Sequence, residues 1–384
     1  MTARLRILHI TRNLPPLVGG MERLNWHIAD ELGNKAQVKV IGPSGSGELK
    51  PDNTELTEAP LRPLPLFLLV AFIKALWLAI RWRPHRVLAG SGLTATIAWL
   101  AGRLCRAKTA VYLHGFDITV PSRAYQFFWV PFFKRMDAVI VNSTPTRQLA
   151  LNAGVPEGRL HIVCPGVTLP TKPQPAERIA AFRRQHDLEH RKILLSVGRL
   201  TTRKGLKEFV EQALPQIVER QPDSVLVVVG EAPRDSLGAG IQSRESIENA
   251  AQTLGLQNHL RFVGVITDQA ELATVYETAD VHVFPVRHIP DDPEGFGMVA
   301  VEAAAHGLPT VAFATGGIVD AVADGQSGRL APANDYEELS RCILQILADG
   351  KPAWQRGCRE FASGFAWPVL GEKLWGVIGD TKRE

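Results

Sequence analysis

Three cations, two carboxylates and a set of glycine-broken turns are the residues here whose types and spacing suit chemistry. Arg199, Arg203 and Lys204 fall within Val-Gly-Arg-Leu-Thr-Thr-Arg-Lys-Gly (197–205), directly after an apolar run at 192–196. At a strand-to-helix junction, Arg199 and Lys204 form a natural clamp for a diphosphate, with Arg203 as a third cation. Arg supplies a planar fork of donors and Lys a compact point charge. Further on, Pro-Glu-Gly-Phe-Gly (293–297) runs into an alanine-rich helix that stops at Gly307 and Pro309. The exposed N–H groups of such a helix start are a built-in anion site. Glu294 stands in the loop and Glu302 just over two turns later, roughly on one side and about 12 Å along the axis. Acids beside an anion site suit a ligand that carries both phosphates and hydroxyls. The plainer alternative is one Glu complementing the helix dipole and another solvated on the helix surface.

A second group lies in the first half of the chain. Residues 110–113 read as a strand ending at His114-Gly115-Phe116-Asp117, and Gly19-Gly20 opens a helix at 21–32 after the strand Arg6–Ile10. Strand, glycine turn, helix and a further strand at 38–41 are the start of a doubly wound parallel sheet. Ligands of such sheets bind beyond the carboxyl ends of strands, where His114, Asp117 and Gly19-Gly20 fall. Further strands are expected at 87–89, 138–141 and 160–163. After a Pro/Lys linker at 171–175, the alternation resumes with strands at 192–196, 225–229, 260–263 (Gly264 at its end), 281–285 and 310–313. Two α/β domains are therefore expected, 1–170 and 171–365, with a terminal helical segment at 366–384. The cleft between their sheets is the expected ligand site.

Size and composition agree with that division. A chain of 384 residues exceeds one ordinary core, and 45% hydrophobic with 21% charged residues is the composition of a soluble globular protein. Residues 1–17 carry Arg4, Arg6 and Arg12 and no apolar h-region, so no secretory signal is expected. Cys105, Cys164, Cys342 and Cys358 show neither close pairing nor metal-ligand spacing, and a reduced cytoplasmic setting follows.

The net charge of +4 hides an asymmetry. Residues 1–170 hold 20 Lys+Arg against 10 Asp+Glu, and residues 171–384 hold 23 against 29. A basic first half points to an anionic partner. Nucleic acid is not expected, because no nucleic-acid motif and no aromatic-interleaved basic run occurs. Residues 64–82 are apolar apart from Lys74 and Arg81 and invite a transmembrane reading. A span there would cut one sheet in two, so the stretch reads as a helix lying on a membrane surface or as a buried core helix. The aromatic run 125–135, closed by Lys134 and Arg135, favours the anionic membrane surface. Residues 42–47 hold two P-loop glycines at the right separation, but Glu48 stands where Lys is required, and the stretch reads as a loop.

Taken in order, Gly19-Gly20-Met21-Glu22, His114-Gly115-Phe116-Asp117, Gly198-Arg199-Leu200 with Lys204-Gly205, Glu294-Gly295-Phe296-Gly297 with Glu302, Gly316-Gly317 and Asp324-Gly325 resemble family 4 of the retaining glycosyltransferases. That group has the two-Rossmann architecture termed GT-B. The resemblance implies that Arg199 and Lys204 bind the donor diphosphate, Glu294 the sugar hydroxyls and Glu302 the ribose. Gly19, Gly20, Gly198, Gly264, Gly295, Phe296 and Gly297 would approach the donor through backbone. His114 would bind the sugar near the reacting carbon, and Asp117 would face the acceptor side. It also implies retention by front-face attack and a last helix, near Trp367–Ile378, that crosses back to the first domain. No Asp-x-Asp metal motif occurs, so a metal-independent reaction without a cofactor is expected.

The expected activity is transfer of a hexose from a GDP-mannose-type or UDP-linked donor. The acceptor would be a lipid-linked or envelope glycan at the cytoplasmic membrane face. The alternatives are a nucleotide-sugar epimerase of the same architecture and a non-catalytic sugar-binding relative.

Overall fold

The computed structural model describes residues 4–232 and 240–379. The chain divides into two compact units, Met1–Gly166 with Trp367–Glu384, and Val167–Ala366. Residues 1–3 and 380–384, assigned from the sequence to the first domain and the terminal segment, lie outside the described residues.

The first unit is built on seven strands: β1 (Arg6–Ile10), β2 (Gln37–Pro43), β3 (Thr54–Ala59), β4 (Arg86–Ala89), β5 (Lys108–Leu113), β6 (Ala138–Val141) and β7 (Leu160–Ile162). They form one parallel sheet in the order β3-β2-β1-β4-β5-β6-β7. The central strands are continuous apolar runs because helices cover both faces of a parallel sheet. Ile10 of β1, for example, is flanked by Ile41 of β2 and Ala89 of β4 and is fully buried.

Two elements of this unit escaped the pattern of apolar runs. The edge strand β3 reads Thr-Glu-Leu-Thr-Glu-Ala, buried only at its ends, as a half-solvated edge is. The helix Ala95–Cys105 follows a buried turn after β4. Residues 42–47 are not wholly a loop: Gly42 and Pro43 end β2, paired with Glu58 and Ala59. The N–H groups of Gly45 and Gly47 are given to Glu58 Oε1 at 3.1 and 3.0 Å, so this glycine turn wraps a carboxylate of its own chain.

The helix Leu64–Arg81 is amphipathic by packing. Phe67, Ala71, Ala75, Leu78 and Ala79 are buried against the sheet. Leu69, Ile73, Trp77 and Ile80 stay 56–59% exposed. It is long and apolar enough to cross a membrane by length and composition, but its connections run between β3 and β4 of a single sheet.

The last helix, Trp367–Ile378, packs on the first unit. Trp367 stacks on His27 with centroids 3.7 Å apart, and Arg86 Nε donates to the Ile378 carbonyl at 2.7 Å.

The second unit has six parallel strands: β8 (Lys192–Val197), β9 (Ser224–Val229), β10 (Leu260–Gly264), β11 (Val281–Phe284), β12 (Thr310–Phe313) and β13 (Gly328–Ala331). Their order is β10-β9-β8-β11-β12-β13. Alternate strand residues feed two cores. Leu194, Leu226, Val228 and Val283 pack with Phe209, Ile217, Leu339 and Ile343 on one face. Ile193, Leu195, Val225 and Val227 pack with Tyr276, Ala303 and Leu308 on the other.

Both sheets reverse their order once, at β1/β4 in the first unit and at β8/β11 in the second. Ligands of open α/β sheets bind at such switch points, beyond the carboxyl ends of the strands.

Candidate active site

In the second unit the switch point brings together the two loops that carry charge. Residues 198–205 leave β8, and residues 285–297 leave its direct neighbour β11. Lys204 Nζ donates to Glu294 Oε2 at 2.8 Å, and Arg203 Nε lies 3.4 Å from the same oxygen. Arg203 Nη1 also donates to Asp292 Oδ1 at 2.8 Å and to the Pro293 carbonyl at 2.9 Å, which straps the 292–294 loop to the cation cluster. Lys204 further sits 4.5 Å above the ring centroid of Phe284. Arg199 is exposed and, among the described residues, has no ion-pair partner within 4.0 Å. Among the described residues, it is the one of the three cations without a carboxylate within 4.0 Å.

Burial and charge compete at this pair. Burial pushes the Glu294 carboxyl up, but Lys204, Arg203 and Arg199 together, with the Lys204 hydrogen bond, bring it down to about 2. For Lys204 burial wins: its pKa is lowered, although Glu294 works in the opposite direction. Glu294 thus acts as the counter-charge that helps keep a buried ammonium protonated.

The loop that presents Glu294 has no freedom to retreat. Gly317 N–H donates to the Glu294 carbonyl at 2.8 Å. A Cβ on Gly316 would stand 2.5 Å from that carbonyl oxygen, and one on Gly317 2.0 Å from the Gly295 oxygen. Gly316-Gly317 is therefore where two backbones touch, and both positions exclude any side chain. Gly297 caps the helix Met298–Ala305 in the left-handed conformation (φ 89°), where a Cβ would meet the Phe284 ring at 2.8 Å.

The helix begins at Met298, so Glu294 is not on its axis and the 12 Å axial spacing drawn from the sequence does not apply. Only Glu302 rides on the helix. Phe296 turns its ring into the core against Phe365, at 5.7 Å between centroids, which leaves only its backbone for a ligand. Gly198 follows β8 and Gly264 ends β10, and among the described residues a Cβ on either would meet nothing within 4 Å.

Glu302 is held by a network that the sequence did not announce. Tyr276 Oη donates to Glu302 Oε2 at 3.1 Å, and the Tyr276 ring stacks on His306 with centroids 5.5 Å apart and planes 9° from parallel. His306 Nδ1 lies 3.1 Å from Glu277 Oε1, while Glu277 Oε2 accepts from the Gln174 N–H at 2.7 Å. The chain of contacts runs from Glu302 to the segment that follows β7. Tyr276 and Glu277 come from a helix, Gln269–Thr278, whose sequence shows only amphipathic spacing; nothing there marks them as partners of Glu302.

In the first unit, His114 is buried just past the end of β5, and its Nε2 lies 2.9 Å from the Gly90 carbonyl oxygen. A carbonyl only accepts, so this contact places the proton on Nε2. Asp117 is occupied: its Oδ2 accepts from the Gly92 N–H at 3.0 Å and from the His114 N–H at 3.3 Å. It ties the turn after β4 to the turn after β5 and so fixes the backbone that carries His114. Gly19 caps the helix Gly20–Lys35, with Glu22 folded back beneath it and accepting from Asn13 Nδ2 at 2.8 Å. Among the described residues no three His, Cys, Asp or Glu side chains cluster as a metal site.

Comparison with known proteins agrees with this layout. The family model described as Glycosyltransferase Family 4 matches residues 18–169, and the one described as Glycosyl transferases group 1 matches residues 178–359. A D-inositol 3-phosphate glycosyltransferase of Geodermatophilus obscurus is 34% identical over 241 residues, covering 62% of this chain and 51% of that protein. A GDP-mannose-dependent alpha-(1-6)-phosphatidylinositol monomannoside mannosyltransferase of Mycolicibacterium smegmatis is 32% identical over 244 residues, covering 62% and 61%. The chain thus spans a little over half the length of these relatives.

Anabaena HepE, solved in complex with UDP, matches in fold with a TM-score of 0.80 over 98% of this chain and 100% of that chain, at 20% identity. Sucrose-phosphate synthase from Thermosynechococcus elongatus matches with a TM-score of 0.77 over 97% and 98%, at 22% identity. With one family model on each half and a two-unit α/β fold shared with GT-B enzymes, the chain belongs to the group 1, family 4 glycosyltransferases.

Proposed function

We propose that the protein is a retaining glycosyltransferase that moves a hexose from a nucleoside-diphosphate sugar to a lipid-linked or envelope-glycan acceptor. The observation that carries this reading is the Arg199–Arg203–Lys204 cluster set against Glu294 at the β8/β11 switch point. In this reading Arg199, which among the described residues has no carboxylate within 4.0 Å, and Lys204, beside its counter-charge Glu294, take the donor diphosphate. Their attraction for the leaving group grows as its charge develops, so they lower the barrier more than they tighten the ground state. They fill the place a divalent ion takes elsewhere, and the reaction needs neither metal nor cofactor. Glu294 meets the sugar hydroxyls, Glu302 the ribose, and the backbone of Gly198, Gly264 and Gly295–Gly297 the remainder of the donor. His114 and Gly19-Gly20 lie beyond the carboxyl ends of the first unit's own strands, where ligands of such sheets bind. No protein nucleophile is assigned, which fits front-face attack with retention.

GDP-mannose is the first donor to test, because a relative above 30% identity is named for it, whereas the UDP-bound neighbour supports the fold alone. Two relatives named for inositol-phosphate or phosphatidylinositol acceptors favour an acceptor bearing phosphate, on a lipid at the cytoplasmic membrane face. The exposed Leu69, Ile73, Trp77 and Ile80 stripe is assigned to that surface. The test is nucleoside-diphosphate release by purified protein with membrane extract, using GDP-mannose and UDP-glucose. Release of GDP with an α-linked product supports the reading. No diphosphate release with either donor overturns it.

A further inference from the structure

A basic cavity of the first unit lies at the wrong end of the sheet for the donor. It measures about 820 Å³ and is walled by Arg103, Arg106, Lys108, Lys134, Arg135 and Arg159. Lys108 opens β5, and His114 follows its last residue, so the two ends stand about 20 Å apart at the rise of a parallel strand. The cavity is therefore not part of the site that includes His114.

Its cations are uncompensated. Among the described residues, none of Arg103, Arg106, Lys108, Lys134 or Arg135 has a carboxylate within 4.0 Å. Arg159 spends one nitrogen on the carbonyls of Lys134 and Met136, at 3.0 and 3.1 Å. The one acid in the wall, Asp137, accepts from Thr109 through its N–H at 2.7 Å and its hydroxyl at 2.9 Å. Arg135 is braced over two aromatic rings, 5.8 Å from Trp99 and 4.9 Å from Phe132. Arg106 stands in the left-handed region (φ 59°) at the end of the helix Ala95–Cys105, where glycine would fit without strain. The same helix carries the exposed Leu100 and Leu104 next to the cavity wall, and it packs against the helix that bears Ile73, Trp77 and Ile80.

Like charges gathered without counter-charges, one of them on a strained backbone, are stabilised by an external anion. An apolar ledge beside them identifies the form in which that anion arrives. We propose that this cavity binds the phosphate headgroup of an anionic lipid while Leu100, Leu104 and the neighbouring helix rest on the acyl boundary. This deepens the membrane-facing part of the reading above and rests on it, but it is independent of the donor site.

The test is flotation with phosphatidylcholine vesicles, with and without phosphatidylglycerol. The variant is Arg106→Gly with Lys134→Gln. It removes two wall cations, and the glycine relieves the left-handed strain, so the fold is preserved. A control of equal charge change, Arg244→Gln with Arg356→Gln, alters exposed residues of the second unit. Each cation near an anionic surface is worth about fivefold in partition, so the variant is expected to lose about 25-fold on phosphatidylglycerol vesicles. The control should lose less than twofold, and diphosphate release with a water-soluble acceptor should be unchanged in both.

Equal loss in variant and control would reduce the effect to net charge and overturn the pocket. Undiminished flotation of the variant would overturn the pocket while leaving the membrane reading standing. Failure of the unaltered protein to float would overturn both, with the transferase reading still tested by diphosphate release. Thermal stabilisation by inorganic phosphate that the variant lacks, without flotation, would reassign the cavity to a soluble phosphate and overturn the lipid.

Discussion

Lys204 Nζ and Glu294 Oε2, ninety residues apart in the chain, stand 2.8 Å apart at the end of adjacent strands. Both side chains are largely buried, so each depends on the other for charge compensation. Lys204→Ala is expected to cut kcat by about 100-fold or more, the scale for losing one preorganised donor to a charged transition state. It should also destabilise the protein by about 3 kcal/mol, because Glu294 would lose its hydrogen-bonded partner and be left buried with only the more distant charges of Arg203 and Arg199. Adding Glu294→Gln should restore most of that stability and none of the turnover. Steady-state kinetics and denaturant unfolding separate the two effects, and near-normal turnover in Lys204→Ala would place the site elsewhere.

Tyr276 reaches the proposed ribose-binding carboxylate but not the reacting atoms, which makes it a positioning residue. Tyr276→Phe deletes one hydrogen bond to Glu302, worth about 1 kcal/mol. The expected outcome is a donor KM raised about fivefold with kcat nearly unchanged. A fall in kcat at constant KM would show that Tyr276 acts on the chemical step instead.

His282 on β11 is fully buried, with Nδ1 3.1 Å from Thr310 Oγ1. Burial first, and Lys204 second, push its pKa down to about 3. The unfolded chain therefore takes up this proton near the ordinary value of 6.5, before the folded one does. The stabilising contribution is complete above pH 6.5 and is lost as pH falls from there toward 3. Between pH 7 and pH 5 this linkage amounts to about 2 kcal/mol. His282→Asn should make stability less steep across that window, measured by denaturant unfolding at each pH. His9 and His27, pushed down to about 4, the first by burial and the second by burial and Arg23, act in the same direction in the first unit and should leave a residual slope. An unchanged slope in His282→Asn would mean that the imidazole is not held neutral.

Much of this protein was readable before its structure. The central strands are continuous apolar runs because both faces of a parallel sheet are covered, and such runs stand out in any sequence. The edge strand β3 did not stand out, since an edge needs apolar residues only where it touches a neighbour. The candidate residues Arg199, Lys204, Glu294 and Glu302 stood out for a related reason: they come after strands, and the ends of strands in a doubly wound sheet are where ligands bind. Asp117 was legible as a residue but not in its contacts, because a carboxylate that ties two turns together looks the same in sequence as one that faces a ligand.

Tertiary structure alone decided the rest. Only folding showed that Lys204 finds Glu294, that Tyr276 braces Glu302, and that Gly316-Gly317 presses on the Glu294 loop. These contacts are set by strand order, and order is a property of the sheet rather than of any segment. The basic excess of the first half was visible as a count. Its concentration into one cavity was not, because Arg103, Lys108 and Lys134 come from three elements that meet only when the amino ends of β5 and β6 lie side by side.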